Sequence, residues 1–243
     1  MNTQPQQKIS VQTLTQLAIL VAIEVVMKLI GLGSVPVGPL YMSFLTVPIA
    51  IGAIVIGPMA SMLLGGIFGS DPADSGEVII EGKTYIRRTP AIMKNAGLGL
   101  TPEDRKTTGL ILKHSIESNL CYAGMKKTTI NGWVESRKKR KEMSERQVKA
   151  LQIKLSSSSA KASSMSGGNQ QKVVVGNWLN NDPKIMIYDE PTRGIDVNAK
   201  QQIFEIMWNQ AKQGNSSIFV STELEELPGV CNRILVLRGG RIT

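Results

Sequence analysis

Two carboxylates at the end of one short apolar run constrain this chain more than any other feature. The run is Ile185-Met186-Ile187-Tyr188, and Asp189-Glu190-Pro191 follows it. A buried strand ending in two acids can support Mg²⁺ with the first and orient a water with the second. Upstream stands Ser166-Gly167-Gly168-Asn169-Gln170-Gln171, leading into a helix-like run over 169–180. Small residues ahead of a helix leave backbone N–H groups free to meet an anion. Downstream, Thr192-Arg193-Gly194-Ile195-Asp196 closes the stretch. Either half alone is a weak signal. Their order and spacing together point to an α/β sheet with its ligand groups at the carboxyl ends of the strands.

The sequence around this stretch alternates strand and helix. A helix is expected over 199–213, with Ile203, Met207 and Trp208 toward a core and Gly214 as its stop. Buried strands are expected over 217–221 and 233–237, and the alternation argues for a parallel sheet. Earlier, Asp71-Pro72-Ala73-Asp74-Ser75-Gly76 is turn chemistry. Gly82-Lys83-Thr84 imitates the end of a phosphate loop. Its distance from Gly76 is one residue too long, with Glu81 where the second glycine belongs. Val78-Ile79-Ile80 favours a strand, so a hairpin about Glu81-Gly82 is expected. Residues 115–154 read as helical and carry Arg137-Lys138-Lys139-Arg140-Lys141, five cations expected on a solvated face. The Ser/Ala-rich residues 156–164 read as a loop. Trp133, Trp178 and Trp208 read as packing residues, and His114, the single histidine, as a surface residue. Cys121 and Cys231 lie far apart with no metal spacing and read as two reduced thiols.

The first 70 residues differ in kind. Only Lys8, Glu24 and Lys28 are charged before Asp71, although the 243-residue chain carries a formal net charge of +9. A membrane helix needs about 20 apolar residues, so the leader is expected to make two or three transmembrane crossings. One covers 14–32, where Glu24 and Lys28 lie four apart on one helical face. Residues 44–56 and 59–68 form either one kinked helix or two short ones, because Pro48 and Gly57-Pro58 interrupt them.

Two resemblances add to this reading. Residues 71–243 resemble the second nucleotide-binding cassette of simple-sugar ATP-binding-cassette (ABC) importers of the ribose, galactose and xylose type. The residues that carry it are Pro102-Glu103-Asp104-Arg105-Lys106, the 166–171 segment, the 189–196 segment and Ser221-Thr222-Glu223-Leu224. The resemblance implies that Ser166, Gly167, Gly168, Asn169 and Gln170 form the signature loop, which meets ATP held by an opposing cassette. It implies Asp189 as support for Mg²⁺ through water, Glu190 as the catalytic carboxylate, Glu103 at the Q-loop position, Asp196 in the D-loop and Thr222 at the switch position. It also implies ATP and Mg²⁺ as cofactors. The partners would be a complete cassette and membrane permease subunits, with the cassette on the cytosolic face of the cytoplasmic membrane and no nucleic acid. Residues 10–69, with Ser34-Val35-Pro36-Val37-Gly38-Pro39-Leu40-Tyr41-Met42-Ser43-Phe44 and Ile56-Gly57-Pro58, resemble the start of the membrane substrate-binding subunit of energy-coupling-factor vitamin importers.

The chain departs from the cassette pattern in one respect. No Walker A segment precedes Asp71; the apolar leader stands in its place. Without a Gly-rich cradle and its Lys, the β- and γ-phosphates have no primary site. The expected architecture is therefore an incomplete P-loop NTPase sheet over 71–243, with a helical subdomain at about 115–165. It should lack the strand and helix that flank a phosphate loop, and membrane helices should precede it over 1–70. The expected function is that of an importer ATPase component unable to hydrolyse ATP alone. Two alternatives stand beside it: a membrane vitamin-binding fragment, and a chimeric frame in which neither half completes its site.

Overall fold

In the computed structural model the description covers residues 36–37, 40–41, 50–55, 59–238 and 241–242. The chain divides into two compact units, residues 1–47 and 48–243. In the first, β1 (Pro36–Val37) and β2 (Leu40–Tyr41) pair antiparallel. The expected membrane helix over 14–32, with Glu24 and Lys28, lies outside the described residues.

The second unit is built on a six-stranded sheet. In chain order it contains β3 (Ala50–Val55), α1 (Met59–Phe68), β4 (Val78–Ile80), β5 (Lys83–Tyr85), α2 (Pro90–Asn95) and β6 (Leu98–Thr101). A helical region follows with α3 (Ile116–Cys121), α4 (Met125–Thr128), β7 (Thr129–Ile130), β8 (Val134–Glu135) and α5 (Arg137–Ala150). The chain then forms α6 (Gly167–Leu179), β9 (Ile185–Asp189), α7 (Val197–Lys212), β10 (Ser216–Ser221), α8 (Leu227–Val230), β11 (Arg233–Arg238) and β12 (Arg241–Ile242). The sheet runs β12-β11-β3-β10-β9-β6, parallel throughout except for the antiparallel edge strand β12.

Strand alternation divides the core. On β9, Met186 and Tyr188 face one apolar cluster with Phe219, Ile203, Val173 and Leu120. Ile187 faces the other, with Leu98, Val220, Leu237 and Met93. Period-2 alternation of a strand buried on both faces produces this arrangement.

The leader is where the structure corrects the sequence reading. The described residues 50–55 and 59–68, expected within one kinked membrane helix or two short ones, do not form membrane helices. Ala50–Val55 is a central strand, hydrogen-bonded in parallel to β10 on one side and β11 on the other. Met59–Phe68 is a ten-residue helix, and its Leu64 and Phe68 are buried in the second cluster. Among the described residues no helix is long and apolar enough to cross a membrane. The physical reason is an ambiguity of covering. A central parallel strand has apolar surroundings on both faces and reads as an unbroken hydrophobic run, as a lipid-facing segment does. The flanking strand and helix expected to be missing are thus supplied by leader residues.

Two smaller differences follow. The 115–154 region is not continuous helix: Asn131 and Gly132, at φ 53° and 76°, turn a hairpin between β7 and β8. Trp178 and Trp208 pack as expected, against Phe68 and Phe204, but Trp133 is 93% exposed.

Candidate functional site

The carboxylate pair forms where β9 ends. Asp189 and Glu190 are both buried, at 7% and 8% exposure. Glu190 has φ 46°, a left-handed conformation that non-glycine residues seldom adopt, so the chain turns sharply straight after the strand. Its N–H donates to the Val220 carbonyl at 3.0 Å, continuing the pairing with β10. The Thr222 N–H donates to Glu190 Oε1 at 2.7 Å and fixes the carboxylate. Burial lifts the Glu190 carboxyl above its ordinary range; the bonds from Thr222 oppose this, and Asp189 and Glu226 add to the rise.

Thr222 meets Glu190 through both its side chain and its backbone N–H. The backbone bond is available to any residue here except proline. A further acid joins the same end of the sheet. Glu226 accepts hydrogen bonds from Thr192 Oγ1 at 2.7 Å and Ser221 Oγ at 3.2 Å, and Lys200 Nζ lies 2.9 Å from its other oxygen. Sequence reasoning missed Glu226. It is the last residue of a 3₁₀ turn, Leu224–Glu226, where no motif spacing marks it.

The loop of residues 166–170 is held by its own side chains. Ser166 is the extended residue before α6, and its hydroxyl accepts from Asn169 Nδ2 at 3.0 Å. Asn169 Oδ1 accepts from the Lys154 N–H at 2.9 Å, and Gln170 Nε2 donates to the Ala162 carbonyl at 3.1 Å. Asn169 and Gln170 are thus engaged in shaping the loop. The glycines are small because other elements pass close by. A Cβ on Gly168 would fall 2.5 Å from the Ala199 Cβ, and one on Gly167 2.8 Å from Arg105 Nη2. A shallow cleft of about 400 Å³ opens at this helix N-terminus, with Arg105, Lys106, Ser163, Gly167 and Gln170 among its walls. Helix N–H groups, small residues and cations together suit a phosphate.

Residues 103–105 and 193–194 are tied together. Glu103 forms an ion pair with Arg193. Arg105 donates to the carbonyls of Arg193 at 2.9 Å and Gly194 at 3.2 Å. Asp196 caps α7 by accepting from the Ala199 N–H at 2.9 Å. The 193–196 segment is therefore fixed from both sides, and the helix it begins is the one that crowds Gly168.

The carboxylate end fits a magnesium nucleotide; the phosphate end does not. Helix α1 follows strand β3 in the order that flanks a phosphate loop, but the sequence between them is Ile56-Gly57-Pro58. That joint has one glycine and no lysine, so it offers neither a cradle nor a cation. The imitation at Gly82-Lys83 is a hairpin, with Ile80 opposite Lys83, and its Glu81 is ion-paired to Lys184 at 2.6 Å.

Comparison with known proteins agrees with this geometry. The model of the family described as ABC transporter matches residues 60–193. The Ribose import ATP-binding protein RbsA of Halalkalibacterium halodurans is 43% identical over 188 residues, 77% of this chain and 38% of that protein. The Arabinose import ATP-binding protein AraG of Pectobacterium atrosepticum is 36% identical over 189 residues, 78% of this chain and 37% of that protein. The chain thus spans under two fifths of the length of these relatives. A match of 188 residues is longer than residues 71–243 and so reaches back into the leader, as the strand and helix there require. A nucleotide-free ATP-binding cassette from an ABC transporter superposes with TM-score 0.65 at 22% identity, over 80% of this chain and 78% of that one. A cassette dimer bound to ADP and Pi gives 0.65 at 18% identity, over 86% and 92%. None of these supports the resemblance of residues 10–69 to a vitamin importer.

Proposed function

This chain belongs to the ABC transporter family, and we propose that it is the ATP-binding-cassette component of a simple-sugar importer that lends its signature face to another cassette. Ribose and arabinose import name the relatives; a pentose-type sugar is the substrate class this reading takes. Permease subunits and a complete cassette are its partners, on the cytosolic face of the membrane.

One observation carries the proposal: the signature face is built while the phosphate cradle of the same chain is not. The side chains of Ser166, Asn169 and Gln170 are hydrogen-bonded within the protein and shape the loop that opens α6 toward a cationic cleft. The joint between β3 and α1 has no lysine. Glu190 can polarise a water, but a carboxylate accelerates nothing unless the phosphoryl group is held in line with that water. ATP and Mg²⁺ therefore act on the partner's phosphate loop, and Ser166, Gly167 and Gly168 complete that site.

The test is Mg-ATP turnover by the chain with and without a separately purified complete cassette. Turnover is expected only with the partner, and Gly167→Asp in this chain should abolish the gain, since a carboxylate there repels the γ-phosphate. Glu190→Gln should leave the gain in place, because that carboxylate faces the site with no cradle. A gain indifferent to Gly167→Asp would overturn the reading.

A further inference from the structure

The cationic run at the start of α5 is paired with the apolar tip of the β7–β8 hairpin. In the hairpin, Ile130 lies directly opposite Val134, and the Trp133 N–H donates to the Ile130 carbonyl at 3.3 Å. Trp133 is 93% exposed, Val134 64%, Ile130 49% and the adjoining Met125 46%. The hairpin is fixed to the helix. The Ser136 N–H donates to the Thr128 carbonyl at 2.8 Å, and Lys139 Nζ donates to the Thr129 carbonyl at 3.0 Å. Arg140 bridges Glu135 at 2.9 Å and Glu117 at 2.6 Å.

The tip is ringed by positive charge. Residues 125–141 contain seven cations and one carboxylate, Glu135. Arg140 is held by Glu117 and Glu135, and Lys127 pairs with Asp182 at 2.5 Å. Lys126, Arg137 and Lys138 are exposed.

We propose that this hairpin and the first turn of α5 dock on an anionic lipid bilayer surface. Anionic headgroups would meet the cations, and the interfacial layer beneath them would take Trp133 with Ile130, Val134 and Met125. Tryptophan flanked by lysine and arginine suits that boundary. A nucleic acid or free phosphate would use the cations and leave the aliphatic tip in water; a bilayer covers both. The inference does not involve nucleotide, so it stands or falls separately from the proposed function.

The test uses the full chain and brominated-acyl vesicles, of phosphatidylcholine alone or of equal parts phosphatidylcholine and phosphatidylglycerol. The leader could itself carry the chain to a vesicle, so the readout is bromine quenching of Trp133, taken as the difference between the native chain and Trp133→Ala. Quenching is expected on the anionic vesicles alone, and raised salt should weaken it. Each cation near such a surface strengthens partition about fivefold, so Arg137→Gln with Lys138→Gln should weaken it about thirtyfold. Equal quenching on neutral vesicles overturns the proposal. So does quenching unchanged in Trp133→Ala, or none at all, including where an acidic polypeptide is bound instead.

Discussion

Replacing Phe68 by alanine tests whether the end of the apolar leader is part of the cassette. Phe68 is 4% exposed on α1, and its ring meets Trp178 edge-on with centroids 5.5 Å apart. Truncating a buried phenylalanine costs about 3–5 kcal/mol, and that range takes in the aromatic pair, itself about 0.5–1.5 kcal/mol. A domain has roughly 5–15 kcal/mol in all, so the loss is a large share of its stability. With a urea slope of about 2–3 kcal/mol/M, the midpoint should fall by about 1–2.5 M. The assay is urea unfolding followed by circular dichroism. Leu63→Ala is the control: it lies on the same helix but is 44% exposed, and should move the midpoint little. A lipid-facing helix has no reason to distinguish the two positions in this way. An unchanged midpoint in Phe68→Ala, or an equal fall in Leu63→Ala, would refute the placement of α1 in the core.

Three further outcomes are expected. Gly168→Ala puts a Cβ 2.5 Å from the Ala199 Cβ, so it should destabilise by about 1–3 kcal/mol, read as a lowered thermal midpoint. Asp196→Ala removes the α7 cap at the Ala199 N–H and should cost about 1 kcal/mol, with Asp196→Asn recovering most of it. Glu190→Gln should raise the thermal midpoint near neutral pH. The folded carboxyl titrates above its unfolded value, so its ionised form costs stability in full above the folded pKa, and that cost vanishes below the unfolded one, at about pH 4. A gain that persisted unchanged below that pH would contradict the burial argument.

How far the sequence reveals this molecule depends on what each residue must signal. Strand β9 and helix α6 are legible because composition changes abruptly at their ends, at Asp189-Glu190 and at Ser166-Gly167. The hairpin at 78–85 is legible through Glu81-Gly82, which adopt the positive φ the turn needs. Strand β3 is not legible. Its uncharged residues suit a strand between two others as well as a membrane, and only its pairing with β10 and β11 decides. The hairpin at 129–135 carried a usable signal in Asn131-Gly132 between β-forming residues, but the charged helix beside it dominated the reading. In the site, Glu190 was visible as a residue, while its anchor was not. The anchor includes a backbone N–H from Thr222, and no side-chain pattern encodes that bond.

The central claim is that this chain has the carboxylates and signature face of a cassette without a phosphate site of its own. Equilibrium dialysis of Mg-ATP against the purified chain tests it most directly, with Lys83→Ala beside the native chain. No saturable binding is expected from either. Saturable binding by the native chain that disappears in Lys83→Ala would contradict the account, because it would mean that the hairpin at Gly82-Lys83 holds phosphate after all.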